Sequence, residues 1–152
     1  MEPVAQGRPD RRDARRPREN LIGNGGTVKL WATLAGVVLV LIGLLGFISN
    51  PIVGAASGAL IASDTFHNVV HLGTGALALF IAFGLSGRQQ VDGIIGFGIL
   101  YVVIFLAVLL SPTLFGLSSI PANAVLHLIH AALAVVSLAV GYMARGSVAT
   151  VR

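Results

Sequence analysis

The stretch L30-W-A-T-L-A-G-V-V-L-V-L-I-G-L-L-G-F-I-S49 decides the fold class, because it runs for about twenty residues without a charged side chain. A helix rises about 1.5 Å per residue, so a run of this length crosses the ~30 Å hydrocarbon core of a bilayer. The apolar core of a secretory signal peptide is shorter, at about 7–15 residues. The stretch therefore predicts a retained first transmembrane helix.

Three further apolar runs follow, at roughly 65–86, 93–111 and 121–144. Turn residues separate the four runs: Asn50-Pro51, Ser86-Gly87-Arg88 and Ser111-Pro112. The chain of 152 residues is 55% hydrophobic and 11% charged, whereas soluble domains carry about 25% charged residues. These features predict an all-α bundle of four transmembrane helices over 30–144.

The segment 1–29 differs sharply from the rest, because it holds seven of the ten Lys and Arg residues and three prolines. It has too few apolar residues to bury a core, which predicts a disordered cytoplasmic tail. The tail is not predicted to bind nucleic acid, since it lacks interleaved aromatic residues for base stacking. Anionic lipid headgroups are the expected neighbours.

The distribution of positive charge predicts the orientation. All ten Lys and Arg residues fall in the tail, the 87–92 connection and the C-terminal 145–152, and none falls in 50–64 or 112–120. The positive-inside rule then places both termini in the cytoplasm of a multi-pass plasma-membrane protein. The segment 51–63 is unusually apolar for a connection, and it either lies along the outer interface or extends the second helix.

A short internal repeat links the second and fourth helices. V69-V-H-L-G-T-G-A-L-A78 aligns without gaps to V125-L-H-L-I-H-A-A-L-A134, which superposes His71 on His127. The repeat predicts two helical hairpins in the same orientation, related by an approximate two-fold axis along the membrane normal.

The four histidines of the chain all lie in the repeated elements, in the half of the membrane predicted to be outer. Helical spacing places them on one polar stripe of each helix, and the two stripes are predicted to face one another across the bundle. Gly75 continues the first stripe as a helix-packing position. The candidate site residues are Asp64, His67, Asn68, His71, Asn123, His127, His130 and Tyr101.

For Asp64 and Tyr101, the sequence position also suggests a structural role. Asp64 stands where the second helix begins, so it is either the N-cap of that helix or a group that binds a ligand or orients an imidazole. Tyr101 falls near the middle of the third helix, at a depth near that of His130, and its hydroxyl needs a partner there.

Three alternative functions are consistent with the histidines. The imidazoles either hold the bundle together by hydrogen bonds, or ligate a divalent metal or a haem iron through His71 and His127, or carry protons or a small solute. The chain has no cysteine, which excludes thiolate ligands, and it has no recognisable catalytic motif. The prediction is a non-enzymatic structural or interaction protein without a cofactor, in contact with lipid and with a second copy or another membrane protein.

The runs H67-N-V-V-H-L-G-T-G75 and A122-N-A-V-L-H-L128 resemble a bacterial family of small four-helix membrane proteins, known as domain of unknown function 4383. The similarity also includes L41-I-G-L-L-G-F47 and G98-I-L-Y101, and extends over about 32–144. It implies a bacterial inner-membrane protein, and it points to His67, Asn68, His71, Gly75 and His127.

The second motif departs from the family pattern at three places. Asn123 stands where the family has aspartate, Ala124 stands where it has asparagine, and His130-Ala131-Ala132 replaces glycines. The resemblance therefore implies that His130 is particular to this chain, and it supplies no activity.

Overall fold

The computed structural model describes residues 16–55 and 58–149, with side chains described over 25–55 and 58–146. Its four long helices are α1 (Arg16–Leu45), α2 (Thr65–Gly84), α3 (Gly87–Leu110) and α4 (Ala124–Ala149). The segments Gly25–Leu45, Thr65–Gly84, Gly87–Leu110 and Ala124–Gly146 are each long and apolar enough to cross a membrane. The predicted all-α bundle of four membrane-spanning helices is confirmed.

The outer helices extend further than the apolar runs. α1 begins at Arg16, so 16–29 is helical where a disordered tail was expected, and α4 runs through 144 to Ala149. Elongating an existing helix avoids the cost of nucleation, and Pro17 lies in the first turn, where its missing N–H removes no helix bond. The rest of the two predicted tails, 1–15 and 150–152, lies outside the described residues.

The helices pack as two hairpins. α1 packs mainly against α2, and α3 mainly against α4, with a smaller contact between α1 and α4. Glycines allow the close approach within each hairpin. A Cβ on Gly75 would lie 2.9 Å from the backbone nitrogen of Val40, and a Cβ on Gly98 would lie 3.0 Å from that of Leu138. Both glycines therefore sit where two helix backbones nearly touch.

Each hairpin is organised by a capped helix start. The Asp64 carboxylate accepts a hydrogen bond from the His67 N–H (2.9 Å), and the Asn123 amide oxygen accepts one from the Leu126 N–H (3.0 Å). These side chains satisfy N–H groups that the first turn of a helix leaves without a partner. Asp64 and Asn123 therefore hold equivalent positions at the starts of α2 and α4.

The positions of the two helix caps show that the predicted register of the internal repeat is wrong. Counted from Asp64 and Asn123, the equivalent of His71 is His130, each seven residues beyond its cap. The match continues eight residues further along each helix, because Leu79 packs on Gly36 as Leu138 packs on Gly98. The alignment by residue identity, which superposes His71 on His127, is therefore three residues out of register with the fold.

The apolar connection between α1 and α2 does not extend α2. It forms a parallel two-stranded pair, β1 (Val53–Gly54) with β2 (Ile61–Ala62), and α2 starts only at Thr65. Asn50 orders its entry by donating to three carbonyls and accepting from two backbone N–H groups. Val53 and Ile61 pack with Ile42 and Leu126 at the end of the bundle, which accounts for the apolar composition of the connection.

Candidate metal centre

Three imidazoles meet inside the bundle at the end that carries this connection. His67 and His71 come from α2, and His130 comes from α4. One ring nitrogen from each of the three lies within 4.8 Å of the others. The ring centroids are 4.8 Å apart for His67 and His71, 5.8 Å for His67 and His130, and 6.2 Å for His71 and His130. We call these residues the histidine triad.

The triad is buried, and its nitrogens are poorly satisfied. His67 is 5% exposed, and His71 and His130 are each 1% exposed. Neither ring nitrogen of His71 has a hydrogen-bond partner among the described residues, and the same holds for Nδ1 of His130. A buried polar group without a partner costs about 1–3 kcal/mol, so this arrangement is expensive unless a further group binds there.

The helical phase decides which histidine of α4 reaches α2. His130 points to His67 and His71, whereas the His127 ring lies 6.4 Å from the ring of Phe105 on α3, centroid to centroid. The two residues are three positions apart, which rotates one by about 60° relative to the other around the helix. The predicted pairing of His71 with His127 is therefore replaced by one with His130.

A tyrosine and a threonine lie next to the triad, on the side away from the connections. The Tyr101 hydroxyl donates to Oγ1 of Thr74 (2.9 Å), and the Thr74 hydroxyl donates to the backbone carbonyl of Val70 (2.8 Å). The Tyr101 ring centroid lies 5.9 Å from that of His130, and the side chain is buried. Tyr101 thus reaches the depth of the triad, and its hydroxyl finds its partner on α2.

Asn68 is buried on the neighbouring face of α2. Its side-chain oxygen accepts a hydrogen bond from the Ser63 hydroxyl. A Cβ on Gly46 would overlap the Asn68 amide, so the absence of a side chain at position 46 lets this amide pack against the end of α1. Asn68 therefore joins α1 to the start of α2 through contacts with Gly46 and Ser63, and not through the triad.

Asp64 ties the connection between α3 and α4 to the start of α2. Its Oδ2 accepts hydrogen bonds from the Ser118 hydroxyl (3.0 Å), the Ser119 hydroxyl (2.9 Å) and the Ser119 N–H. Burial alone raises the pKa of this carboxyl, but the hydrogen bonds from the His67 N–H and from the two serines outweigh it and lower the pKa to about 2. Asp64 is therefore ionised at neutral pH.

Asn123 stays at the helix start and does not join the triad. Besides capping α4, its amide donates to the backbone carbonyl of Leu60 (3.0 Å), next to β2. The polar stripe predicted on α4 is thus divided. Asn123 holds the connections together, His127 faces α3, and His130 faces the triad.

The serines and the threonine of this region were not among the predicted site residues. Ser63, Thr74 and Ser118 are buried with hydrogen bonds to Asn68, Tyr101 and Asp64 respectively. Thr74 was detectable, because it lies three residues after His71 on the same helix face. Ser118 was not, because its contact with Asp64 spans 54 residues of sequence.

Comparisons with known proteins add no assignment: no protein-family model, no curated protein and no solved structure matches the chain. The resemblance drawn from the histidine motifs therefore stays a prediction.

Proposed function

We propose that this multi-pass membrane protein binds a divalent transition-metal ion through His67, His71 and His130. The observation that carries the proposal is His71, whose two ring nitrogens are buried without a hydrogen-bond partner while facing two other imidazoles. Ionisable side chains inside a membrane mark ligand or ion sites by default. Three of them converging from two helices form a ligand set.

The donor chemistry selects the class of ion. Three neutral imidazoles without a thiolate suit Zn²⁺, Cu²⁺ or Ni²⁺ rather than Mg²⁺ or Ca²⁺, which prefer oxygen ligands. Zinc sites with three protein ligands keep a fourth position for water or another exchangeable ligand. The triad therefore fits a metal site that can exchange a ligand better than a closed structural site.

The spacing requires only a small contraction around the ion. With metal–nitrogen bonds of about 2.0–2.1 Å, two nitrogens of a tetrahedral site lie about 3.3 Å apart. The three nitrogens already lie within 4.8 Å of one another. Rotation of the imidazoles about their side-chain torsions, which are broad for histidine, supplies the difference.

Haem fits the same region less well. A haem iron held by two histidines needs a flat space between them for the macrocycle. Here the His67 ring lies 4.8 Å from that of His71 and 5.8 Å from that of His130, and the Tyr101 ring borders His130. A single ion needs no such space.

The surrounding membrane is also part of the proposal. The position of the Lys and Arg residues supports an orientation with both termini in the cytoplasm and the triad in the outer half of the membrane. The bacterial inner membrane is what the resemblance of the histidine motifs implies. The exposed apolar side chains of the helices, such as Leu34, Phe83 and Val103, then contact lipid or a second copy of the chain.

The test is metal binding by tag-free protein purified in detergent, with His127 as the matched control on α4. We expect one Zn²⁺ or Cu²⁺ per chain by elemental analysis and calorimetry. His71→Asn and His130→Asn should weaken binding by more than about 100-fold, and His127→Asn by less than about threefold. Asparagine keeps a hydrogen-bond donor and acceptor, so folding is preserved in each variant.

Two results would refute metal binding. The first is wild-type protein without stoichiometric metal after exposure to either ion. The second is equal binding by all three variants. Either result would indicate that the histidines have a structural role. In that case each asparagine variant should lose about 0.6–2 kcal/mol of stability, as expected for a single hydrogen bond in a membrane.

A further inference from the structure

The polar side chains of the bundle interior form a column that begins at one end and stops halfway. Along α2 the column contains Asp64, His67, His71 and Thr74, and Tyr101 joins it from α3. Ten residues separate Asp64 from Thr74, which corresponds to about 15 Å of helix, or half of a ~30 Å bilayer core. The histidine triad lies in the middle of this column.

Between Tyr101 and the end of the bundle that carries the α2–α3 turn, the interior is apolar. Ala78 and Ile81 of α2 belong to the same buried apolar cluster as Ile94 and Phe97 of α3, and each is at most 2% exposed. The same apolar cluster continues through α1 and α4 to Val28 and Ala144 at the other end. An apolar layer of this thickness opposes a charged ion, because moving an ion into an apolar medium costs many kcal/mol.

The buried polar groups in the apolar half are hydrogen-bonded. Ser137 accepts from the Trp31 indole N–H (2.9 Å), and the Gln90 amide donates to the last carbonyls of α2, at Ile81, Ala82 and Leu85. They cap a helix end or join two helices. They therefore do not continue the polar column to the opposite end.

The column opens at the end formed by the two connections. Asp64 is only half-buried, and its carboxylate accepts a hydrogen bond from the backbone N–H of His67 (2.9 Å). Ser119, which donates to the same carboxylate, is exposed. A cation arriving from this side therefore meets a carboxylate one helical turn before the first imidazole.

We infer that the histidine triad loads and releases its metal ion from one side of the membrane only, through Asp64 at the end formed by the two connections. This inference rests on the proposed metal site and adds its access route. Asp64 is the entrance residue, where the carboxylate attracts a divalent cation and the Ser118 and Ser119 hydroxyls yield to it. The protein is thus a one-sided metal-binding protein and not a conduit.

Transport across the membrane tests the one-sided access. Protein is reconstituted into liposomes that enclose a fluorescent zinc indicator, and Zn²⁺ is added outside. We expect one bound Zn²⁺ per accessible chain and an internal signal no faster than in protein-free liposomes, with a zinc ionophore as the positive control. Influx that requires His71 would overturn one-sided access while leaving the metal site in place. An absence of bound zinc would instead refute the site itself.

The rate of binding tests the entrance residue. Asparagine at position 64 keeps an N-cap oxygen but removes the charge, and Asp92→Asn removes an exposed carboxylate at the opposite end of the bundle. In stopped-flow mixing of Zn²⁺ with metal-free protein in detergent, Asp64→Asn should lower the association rate about 3- to 10-fold and flatten its salt dependence. Asp92→Asn should match the wild type.

Equal association rates for Asp64→Asn and wild type, with both proteins folded by circular dichroism, would show that Asp64 is not the entrance. Slower association in Asp92→Asn alone would show that ions enter from the opposite end. Asp64→Ser, which also keeps a capping oxygen, checks that a slower rate follows the charge and not the geometry of asparagine.

Discussion

At the scale of single residues, Asp64 performs two structural roles with one carboxylate. One oxygen caps α2, and the other holds Ser118 and Ser119 of the connection before α4. Because these donors favour the charged form, they lower its pKa to about 2 against the burial that raises it. The carboxylate therefore links the start of the helix that bears His67 and His71 to a connection 54 residues away in sequence.

The lowered pKa predicts an acid-dependent loss of stability. The ordinary value of 3.8 describes the unfolded chain, so the contribution of Asp64 is fully present above about pH 4 and is lost as pH falls towards about 2. Between pH 5 and 8 in detergent, we expect the free energy of unfolding of the metal-free wild type to exceed that of Asp64→Asn by about 1–2 kcal/mol. This value is reduced for the partial exposure of the Asp64 carboxylate.

The difference between the two proteins isolates Asp64, because every other ionisable group is the same in both. Melting curves in acid should converge as the carboxylate becomes protonated in the wild type. A difference that stays constant down to pH 2 would show that the stabilisation does not depend on the charge. Asp92→Asn removes the exposed ion pairs with Arg88 and Arg145. Its free energy of unfolding should lie within about 0.5 kcal/mol of the wild-type value.

At the scale of the helices, small residues set the distance within each hairpin. A Cβ on Gly75 would lie 2.8 Å from Cγ2 of Val40, 2.9 Å from its backbone nitrogen and 3.0 Å from the carbonyl oxygen of Gly36. Two of these three neighbours are backbone atoms, so a side-chain rotation cannot make room. The α1 and α2 axes would have to separate.

Gly75→Ala should therefore destabilise the bundle, by about 1–3 kcal/mol, as overpacking of a close contact does. Gly73 provides the matched control on the same helix, because a Cβ there meets nothing within 4 Å. Gly73→Ala should leave stability unchanged or raise it by up to about 1 kcal/mol through helix propensity. Thermal unfolding in detergent measures both. Equal effects at the two positions would contradict close packing of α1 against α2.

At the scale of the whole molecule, the two ends of the bundle differ in charge and in polarity. The connections before α2 and α4 meet at one end with the triad, Asp64 and the serines. The α2–α3 turn and the end of α4 meet at the other, where Asp92 pairs with Arg88 and Arg145. The basic side chains that the structure describes, those of Lys29, Arg88 and Arg145, lie at this second end.

This asymmetry predicts the sidedness in the membrane, and the lack of native cysteine makes the measurement clean. In intact bacterial cells, Thr113→Cys should react with an impermeant maleimide added outside, and Ser86→Cys should react only after lysis. Neither side chain makes a capping hydrogen bond. The reverse pattern would invert the orientation and place the triad near the cytoplasm.

The sequence alone determined the number, type and approximate length of the helices. Each depends only on comparing the length of a local apolar run with the thickness of a bilayer. The inward placement of His67 and His71 followed from their spacing, because residues three or four apart share a helix face. The boundary of α1 was wrong, since helix propagation into the polar 16–29 segment depends on a neighbouring turn rather than on hydropathy.

Only the tertiary structure decided which histidine of α4 completes the triad. A choice between His127 and His130 changes the position by about 4.5 Å along the axis and about 60° around it. Those quantities follow from the helix caps, the glycine contacts and the packing of the connection at 51–63. They join residues far apart in sequence, so residue identity in a local repeat did not contain the register that brings His130 to His71.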